Sequence, residues 1–250
     1  MTRSLLLFAA VAPAHLAAQP VPQTSAAFDR PISWARLIPN AASDQKDIWL
    51  FPRKLRRKNI LIPTLAMVGV TAGLVALDPR TAPYFRNTSS FDGFNHAFTG
   101  IGTTYGIVAA PVAFYTAGLI RKDSKMQRTA LLAAEAIGDV EILTTVMKDV
   151  DRRLRPIAVQ GSFADTWFAD HSNSFHAVGS FPSGHTIAAF AVATVVARRY
   201  GNHRWVPYVA YGLAAAVGFS RITLSSHYVS DVFMGGALGY SITRFAVLRQ

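Results

Sequence analysis

Phe181-Pro182-Ser183-Gly184-His185 is the stretch on which the rest of the sequence turns. An apolar run over 186–197 follows at once and ends in Arg198-Arg199. Proline has no backbone N–H and is excluded from a helix interior, whereas serine is a favoured N-cap. Residues 183–185 are therefore expected to open a buried helix. The start of a helix presents unpaired N–H groups and the positive end of the macrodipole, a setting that suits phosphate. Gly184 lets the backbone come close to such an anion. His185 stands in the first turn, where a proton donor reaches the anion. Taken alone, residues this common favour a plainer reading, a capped helix with a surface histidine.

The flanks change that balance. Upstream, Lys148 is followed after six residues by Arg155-Pro156. Downstream, Ser220-Arg221 is followed after five residues by His227, and after three more by Asp231. A phosphate monoester dianion repels nucleophiles, so its hydrolysis needs concentrated positive charge around the non-bridging oxygens. Lys148, Arg155 and Arg221 can supply that charge, the arginines as forked donors and the lysine as a compact point charge. If 227–231 is helical, the spacing places Asp231 one turn beyond His227 on the same face.

These three stretches resemble the signature motifs of the type 2 phosphatidic acid phosphatase superfamily, PAP2, in family order and at family spacing. That superfamily also includes bacterial acid phosphatases and vanadium haloperoxidases. The resemblance covers roughly residues 148–236. It implies an all-α fold, a six-helix bundle of the PAP2/haloperoxidase type, at least partly membrane-embedded. It implies that His227 is the nucleophile and forms a phosphohistidine, that Asp231 accepts a hydrogen bond from the other ring nitrogen, and that His185 is the general acid. Lys148, Arg155, Ser183, Gly184 and Arg221 are then the phosphate-binding residues. No cofactor and no metal is implied. Arg152 and Arg153 are not signature positions; they read as lining the site entrance or facing lipid headgroups. His171 and His176 fall in a polar loop without the spacing of a metal site.

The surrounding chain is apolar. Of 250 residues, 51% are hydrophobic and 16% charged, with a mean hydropathy of +0.25. Cysteine is absent, which removes disulfides and thiolate-bound metals. The net charge of +11 calls for an anionic partner, but no basic-aromatic stripe of a nucleic-acid module is present. Residues 1–18 read as a signal peptide or N-terminal anchor, with one positive charge, a short apolar core and small residues. Residues 19–40 read as exposed and weakly ordered, and 41–51 as a short amphipathic helix with an aromatic anchor, so that 19–59 forms a flexible or amphipathic lead. Residues 60–250 are expected to form the catalytic domain. Its helices are expected over 60–77, 97–120, 129–147, 186–197, 205–219 and 232–248. The first two are long and apolar enough to span a bilayer.

Basic clusters at 53–58, 121–128 and 198–204 fall in alternate loops, which by the positive-inside tendency are cytoplasmic. All three motifs then lie on the opposite face. A cleaved leader puts residue 19 outside, in conflict with residue 53 inside, and the apposition of the motifs takes precedence. The expected protein is a metal-independent phosphatase of a lipid phosphate or pyrophosphate, in a bacterial inner membrane with its site facing the periplasm. Its partners are lipid and membrane, not nucleic acid. A soluble periplasmic acid phosphatase, a vanadate-dependent haloperoxidase and a non-enzymatic lipid binder are the alternatives.

Overall fold

A computed structural model describes residues 30–171 and 179–249, and all regular structure among the described residues is helical. The six expected segments appear as α2 (Lys58–Asn87), α4 (Gly100–Ile120), α5 (Ser124–Asp151), α6 (Gly184–Arg199), α7 (Trp205–Thr223) and α8 (Val229–Ile242). Two short helices join them, α1 (Leu37–Trp49) and α3 (Asp92–Ala97). The residues expected to form the leader, 1–18, lie outside the described residues.

Several boundaries differ from the expectation, and three of them have a plain physical reason. The first long helix does not stop at 77 but runs on through Pro79 and Pro83. Asp78, which looks like the start of a solvated loop, is fully buried and ion-paired, so its charge does not end the helix. The helix expected over 129–147 begins earlier, because Asp123 caps it by accepting hydrogen bonds from the amides of Lys125 at 2.8 Å and Met126 at 3.1 Å. Part of the segment read as weakly ordered belongs to helix α1, whose inward face is polar. Asp44 of α1 is buried against α5, where Arg30 forks onto it at 2.8 Å and also pairs with Glu135.

Small residues let α6 and α8 pack backbone to backbone. A β-carbon on Gly235 of α8 would sit 2.8 Å from the carbonyl oxygen of Ser183, and one on Gly239 would press closer still on the carbonyl of Ile187. The apolar core lies between α5, α6 and the end of α8, around Leu132, Val140, Ile187, Val195 and Ile242. By contrast α2 and α4 turn large apolar side chains outward. Ile62, Leu65, Val68, Ile101, Val108 and Val112 are all exposed. Both helices are long and apolar enough to cross a membrane, and their apolar windows are only 6% and 17% buried. A core helix of a soluble protein hides such a surface.

Helix polarity sorts the ends of the bundle. The C-terminal ends of α5 and α7 and the N-terminal ends of α6 and α8 meet at one end and carry the three motifs. The basic stretches Arg53–Lys58, Arg121–Arg128 and Arg198–Arg204 lie at the helix ends opposite the motifs.

Candidate active site

Motif-bearing segments are joined by their own backbone. The amide of Ser180 donates to the carbonyl of Arg153 at 2.7 Å, which ties the first motif to the residue before the second. The amide of Ser183 donates to the carbonyl of Asp231 at 3.1 Å, which ties the second to the third. Ser183 is the N-cap residue of α6 in position, but its side chain does not cap the helix; its hydroxyl accepts from Thr186 at 2.9 Å. Gly184 opens α6, and a β-carbon there would lie 3.4 Å from Nζ of Lys148. The helix N-terminus and the lysine ammonium thus face one space.

His227 is not on a helix. It lies in the short link before α8, and Tyr228 is the N-cap. Asp231 therefore reaches it by another route than the helical spacing suggested. Asp231 folds back from the first turn of α8, and its Oδ2 accepts the Tyr228 amide at 2.9 Å and the Ser180 hydroxyl at 2.5 Å. That places Oδ2 3.5 Å from Nδ1 of His227. Nδ1 is itself 2.7 Å from the carbonyl oxygen of Ser180. A carbonyl only accepts, so Nδ1 carries the ring proton and Nε2 keeps its lone pair. Ser180 thus shares with Asp231 the task expected of Asp231 alone. Burial holds the imidazole of His227 below its ordinary value of 6.5, against the opposing pull of Asp231. The ring is therefore neutral at neutral pH.

The cations surround this ring. Lys148 lies within electrostatic reach of Arg155 and Asp231, and His227 within reach of both Lys148 and Arg155. Burial pulls the Arg155 guanidinium below its ordinary value, and its Nε is buried without a hydrogen-bond partner among the described residues. An orphaned guanidinium donor beside an ammonium is what an anion site looks like before an anion arrives. Arg221 is buried and committed on one side. Its NH2 donates to the carbonyl of Phe98 at 2.6 Å and to Thr103 at 3.1 Å, both from the α3–α4 junction.

His185 is half-buried, within electrostatic reach of Arg221, His227 and Lys148. Its Nε2 is 2.7 Å from the Thr104 hydroxyl and 3.2 Å from the Gly100 carbonyl of α4. The carbonyl contact fixes the proton on Nε2, which leaves the lone pair on Nδ1. All eight residues singled out from the sequence are thus brought to one end of the bundle.

Five residues were not legible as parts of this site. Arg153 was read as a surface cation but is 2% exposed, its guanidinium bridging Asp78 and Asp231. Trp167, half-buried, stacks on that same guanidinium at 4.4 Å. Asp78, Ser180 and Thr104 lie outside the motifs; Asp78 reads from the sequence as the start of a loop, and only the fold shows it buried. A small cleft, with room for about one water molecule, lies between His227 and Tyr228 on one side and Ala82 and Phe85 of α2 on the other. Asp44, Glu135 and Asp139 are close enough to share a cation. They lie on α1 and the middle of α5, away from this site, and Arg30 pairs with two of them.

Residues 129–250 match the sequence model described as the PAP2 superfamily. A lipid A 1-phosphatase of Porphyromonas gingivalis is 44% identical over 64 residues, 25% of this chain and 14% of that protein. A phosphatidylglycerophosphatase B of Bacillus subtilis is 34% identical over 117 residues, 44% of this chain and 52% of that protein. The matched segments thus span at most about half the length of these relatives. The crystal structure of a transmembrane PAP2 type phosphatidylglycerolphosphate phosphatase from Bacillus subtilis aligns over 83% of this chain and 94% of that one, with a TM-score of 0.41 and 20% identity. The segment that matches the PAP2 superfamily, residues 129–250, holds all three motifs.

Proposed function

We propose that the protein is a membrane phosphatase that releases phosphate from a lipid phosphate or pyrophosphate through a phosphohistidine on His227. The observation that carries this reading is the state of the His227 ring. Its Nδ1–H is held by Ser180 and Asp231, its Nε2 keeps a lone pair, and Lys148 and Arg155 lie within electrostatic reach of the ring. In the first step Nε2 attacks phosphorus and the P–O bond to the leaving group breaks. The leaving oxygen takes its proton from His185 in its imidazolium form, which keeps its Nε2 proton against Thr104 and Gly100 and gains a second one at Nδ1 beside the bound phosphate dianion. In the second step His185 takes a proton from water, the water oxygen attacks phosphorus, and the P–N bond breaks to release phosphate and restore His227. The three cations hold the equatorial oxygens throughout. They supply the charge that divalent ions supply in other phosphoryl-transfer sites, so the reaction is read as metal-independent.

The lipid part of the reading rests on the outward apolar faces of α2 and α4. The relatives named as lipid A 1-phosphatase and phosphatidylglycerophosphatase B act in the same direction. The basic helix ends opposite the motifs support a cytoplasmic face there and a site on the periplasmic side. Exposed apolar helices disfavour the soluble phosphatase.

The test is phosphate release by purified protein in detergent, with EDTA present. The panel sets phosphatidylglycerophosphate, phosphatidate, a polyprenyl pyrophosphate and lipid A against a soluble aryl phosphate. Hydrolysis of at least one lipid in preference to the aryl ester is expected, and His227→Ala should abolish it. Release from the aryl ester alone, or activity recovered in the soluble fraction without detergent, overturns the lipid reading. Unchanged turnover by His227→Ala overturns the mechanism.

A further inference from the structure

Arg153 carries a charge that the proposed reaction does not use, and it is more deeply buried than any of the three phosphate-facing cations except Arg221. Every part of its guanidinium is occupied. NH1 donates to Oδ1 of Asp231 at 2.6 Å and to the Ser230 hydroxyl at 2.8 Å. NH2 donates to Oδ2 of Asp78 at 2.7 Å, and Nε lies 3.4 Å from the Thr166 hydroxyl. The two faces of the plane are covered by Tyr228 at 3.9 Å and Trp167 at 4.4 Å. No edge or face is left for a phosphate.

We infer that Arg153 is a positioning residue: braced by Asp78 of α2, it fixes the carboxylate of Asp231 and through it the ring of His227. The inference rests on the reading of His227 as the nucleophile. Its basis is the way the Asp231 carboxylate is divided. Oδ1 goes to Arg153, while Oδ2 takes the Tyr228 amide and the Ser180 hydroxyl and faces Nδ1 of His227. A carboxylate held at one oxygen by a rigid fork cannot rotate its other oxygen away from the imidazole. The fork is in turn held by a second carboxylate, from a helix that lies outside residues 129–250. Asp78 also accepts from the Ser230 hydroxyl and, at 3.3 Å, from the Ser230 amide, so it grips the first turn of α8 directly. A lysine cannot reproduce this, because its single ammonium cannot bridge two carboxylates and stack between two rings at once.

The competing account is that Arg153 only fastens α2 to α8. Two measurements on full-length protein in micelles separate them. The first is kinetic. Arg153→Gln should lower kcat on the order of 100-fold, the scale of a small misplacement of a reacting group, with KM for the lipid unchanged because the residue touches no substrate. In an Asp231→Asn background the same substitution should cost nothing further. The second is the titration of the His227 imidazole by nitrogen NMR of histidine-labelled protein. The groups facing that ring are Asp231 of α8, Lys148 of α5, Arg155 of the loop after it and His185 of α6, and all remain in the variant. Loss of the Arg153 charge behind Asp231 should therefore move the His227 midpoint upward. Arg153→Lys keeps the charge and loses the fork. It should leave the midpoint near that of the unmodified protein and still lower kcat.

A wild-type kcat and midpoint in Arg153→Gln, or losses that add to those of Asp231→Asn, overturn the inference. If Arg153→Gln does not fold, Arg153→Lys and Asp78→Asn carry the test, and unchanged kcat in both overturns it. If the unmodified protein hydrolyses no lipid phosphate, the proposed function fails, and the His227 midpoint alone decides whether Arg153 governs that ring.

Discussion

Helices α2 and α6 make opposite use of their residues. α6 has 16 residues and buries 11 of them, mostly Ala, Thr and Val. α2 has 30 residues and buries three, Thr71, Asp78 and Ala82. The helix with the long apolar stretch therefore contributes little to the core, and one of the few side chains it sends inward is a carboxylate. α6 is a helix of the protein interior, while α2 turns outward an apolar surface long enough to cross a membrane. α4 follows the pattern of α2. Its outward face is apolar, and inward it offers Thr104 and the Gly100 carbonyl to His185, and Thr103 to Arg221. Each outward-facing helix thus lends polar groups to a site whose reactive residues lie elsewhere.

The largest effects belong to the inner half. His227→Ala should reduce phosphate release by at least about 10^4-fold, the scale seen when a nucleophile is removed, with thermal unfolding nearly unchanged. His185→Ala should cost on the order of 10^2 to 10^4-fold, the usual worth of a general acid. Residual turnover within a few-fold of the unmodified protein would show that the residue is not at the reacting phosphate. Arg155→Lys keeps the charge and loses the fork. Loss of one donor to a developing anion costs on the order of 10^2 to 10^3-fold, and the lower end is expected here. Near-normal kcat would show that the point charge suffices.

These motif residues were legible because each needs a particular side chain at a particular place, and spacing survives in a sequence. Their supports were not. Ser180 acts through its carbonyl, and any residue has one. Thr104 lies 81 positions from the His185 it touches. Arg153 reads as one more basic residue in Arg152-Arg153, and only the fold reveals that Asp78, 75 positions away, draws it inward. The all-helical class was legible from apolar run lengths. The boundaries failed where a buried charge or a proline in α2 was taken as the end of a helix. The fold-back of Asp231 was hidden because a helical register and a capping residue give the same four-residue spacing.

Packing separates the halves next. Gly239 of α8 faces the carbonyl of Ile187 with no room for a β-carbon. Gly239→Ala should destabilise by about 1–3 kcal/mol, the usual cost of overpacking. For a chain of this size that lowers the unfolding midpoint by roughly 2–4 °C per kcal/mol. A midpoint that does not move would mean that α6 and α8 separate more easily than their backbone contact implies.

Proton linkage gives a smaller effect with a definite sign. The folded state holds His227 below 6.5, so between the folded and unfolded values the unfolded chain binds the extra proton. The contribution is constant above the unfolded value and is lost as pH falls below it. His227→Gln, which cannot take up that proton, should flatten the decline in unfolding midpoint between neutral and mildly acidic pH. An identical decline in the variant would assign it to other groups.

The smallest effect probes α2 itself. A β-carbon on Gly69 meets nothing within 4 Å. In a helix interior alanine is better than glycine by roughly 0.5–1 kcal/mol, because glycine gives up more backbone freedom on folding. Gly69→Ala should therefore raise the unfolding midpoint slightly, the reverse of Gly239→Ala and for the opposite reason. If lipid or detergent alone covers this face, the gain should be seen at every protein concentration. A loss in its place would mean that another helix packs against Gly69 and Gly73 in the membrane. The outward side of α2 would then be a protein contact, and the division between inner and outer helices would have to be redrawn.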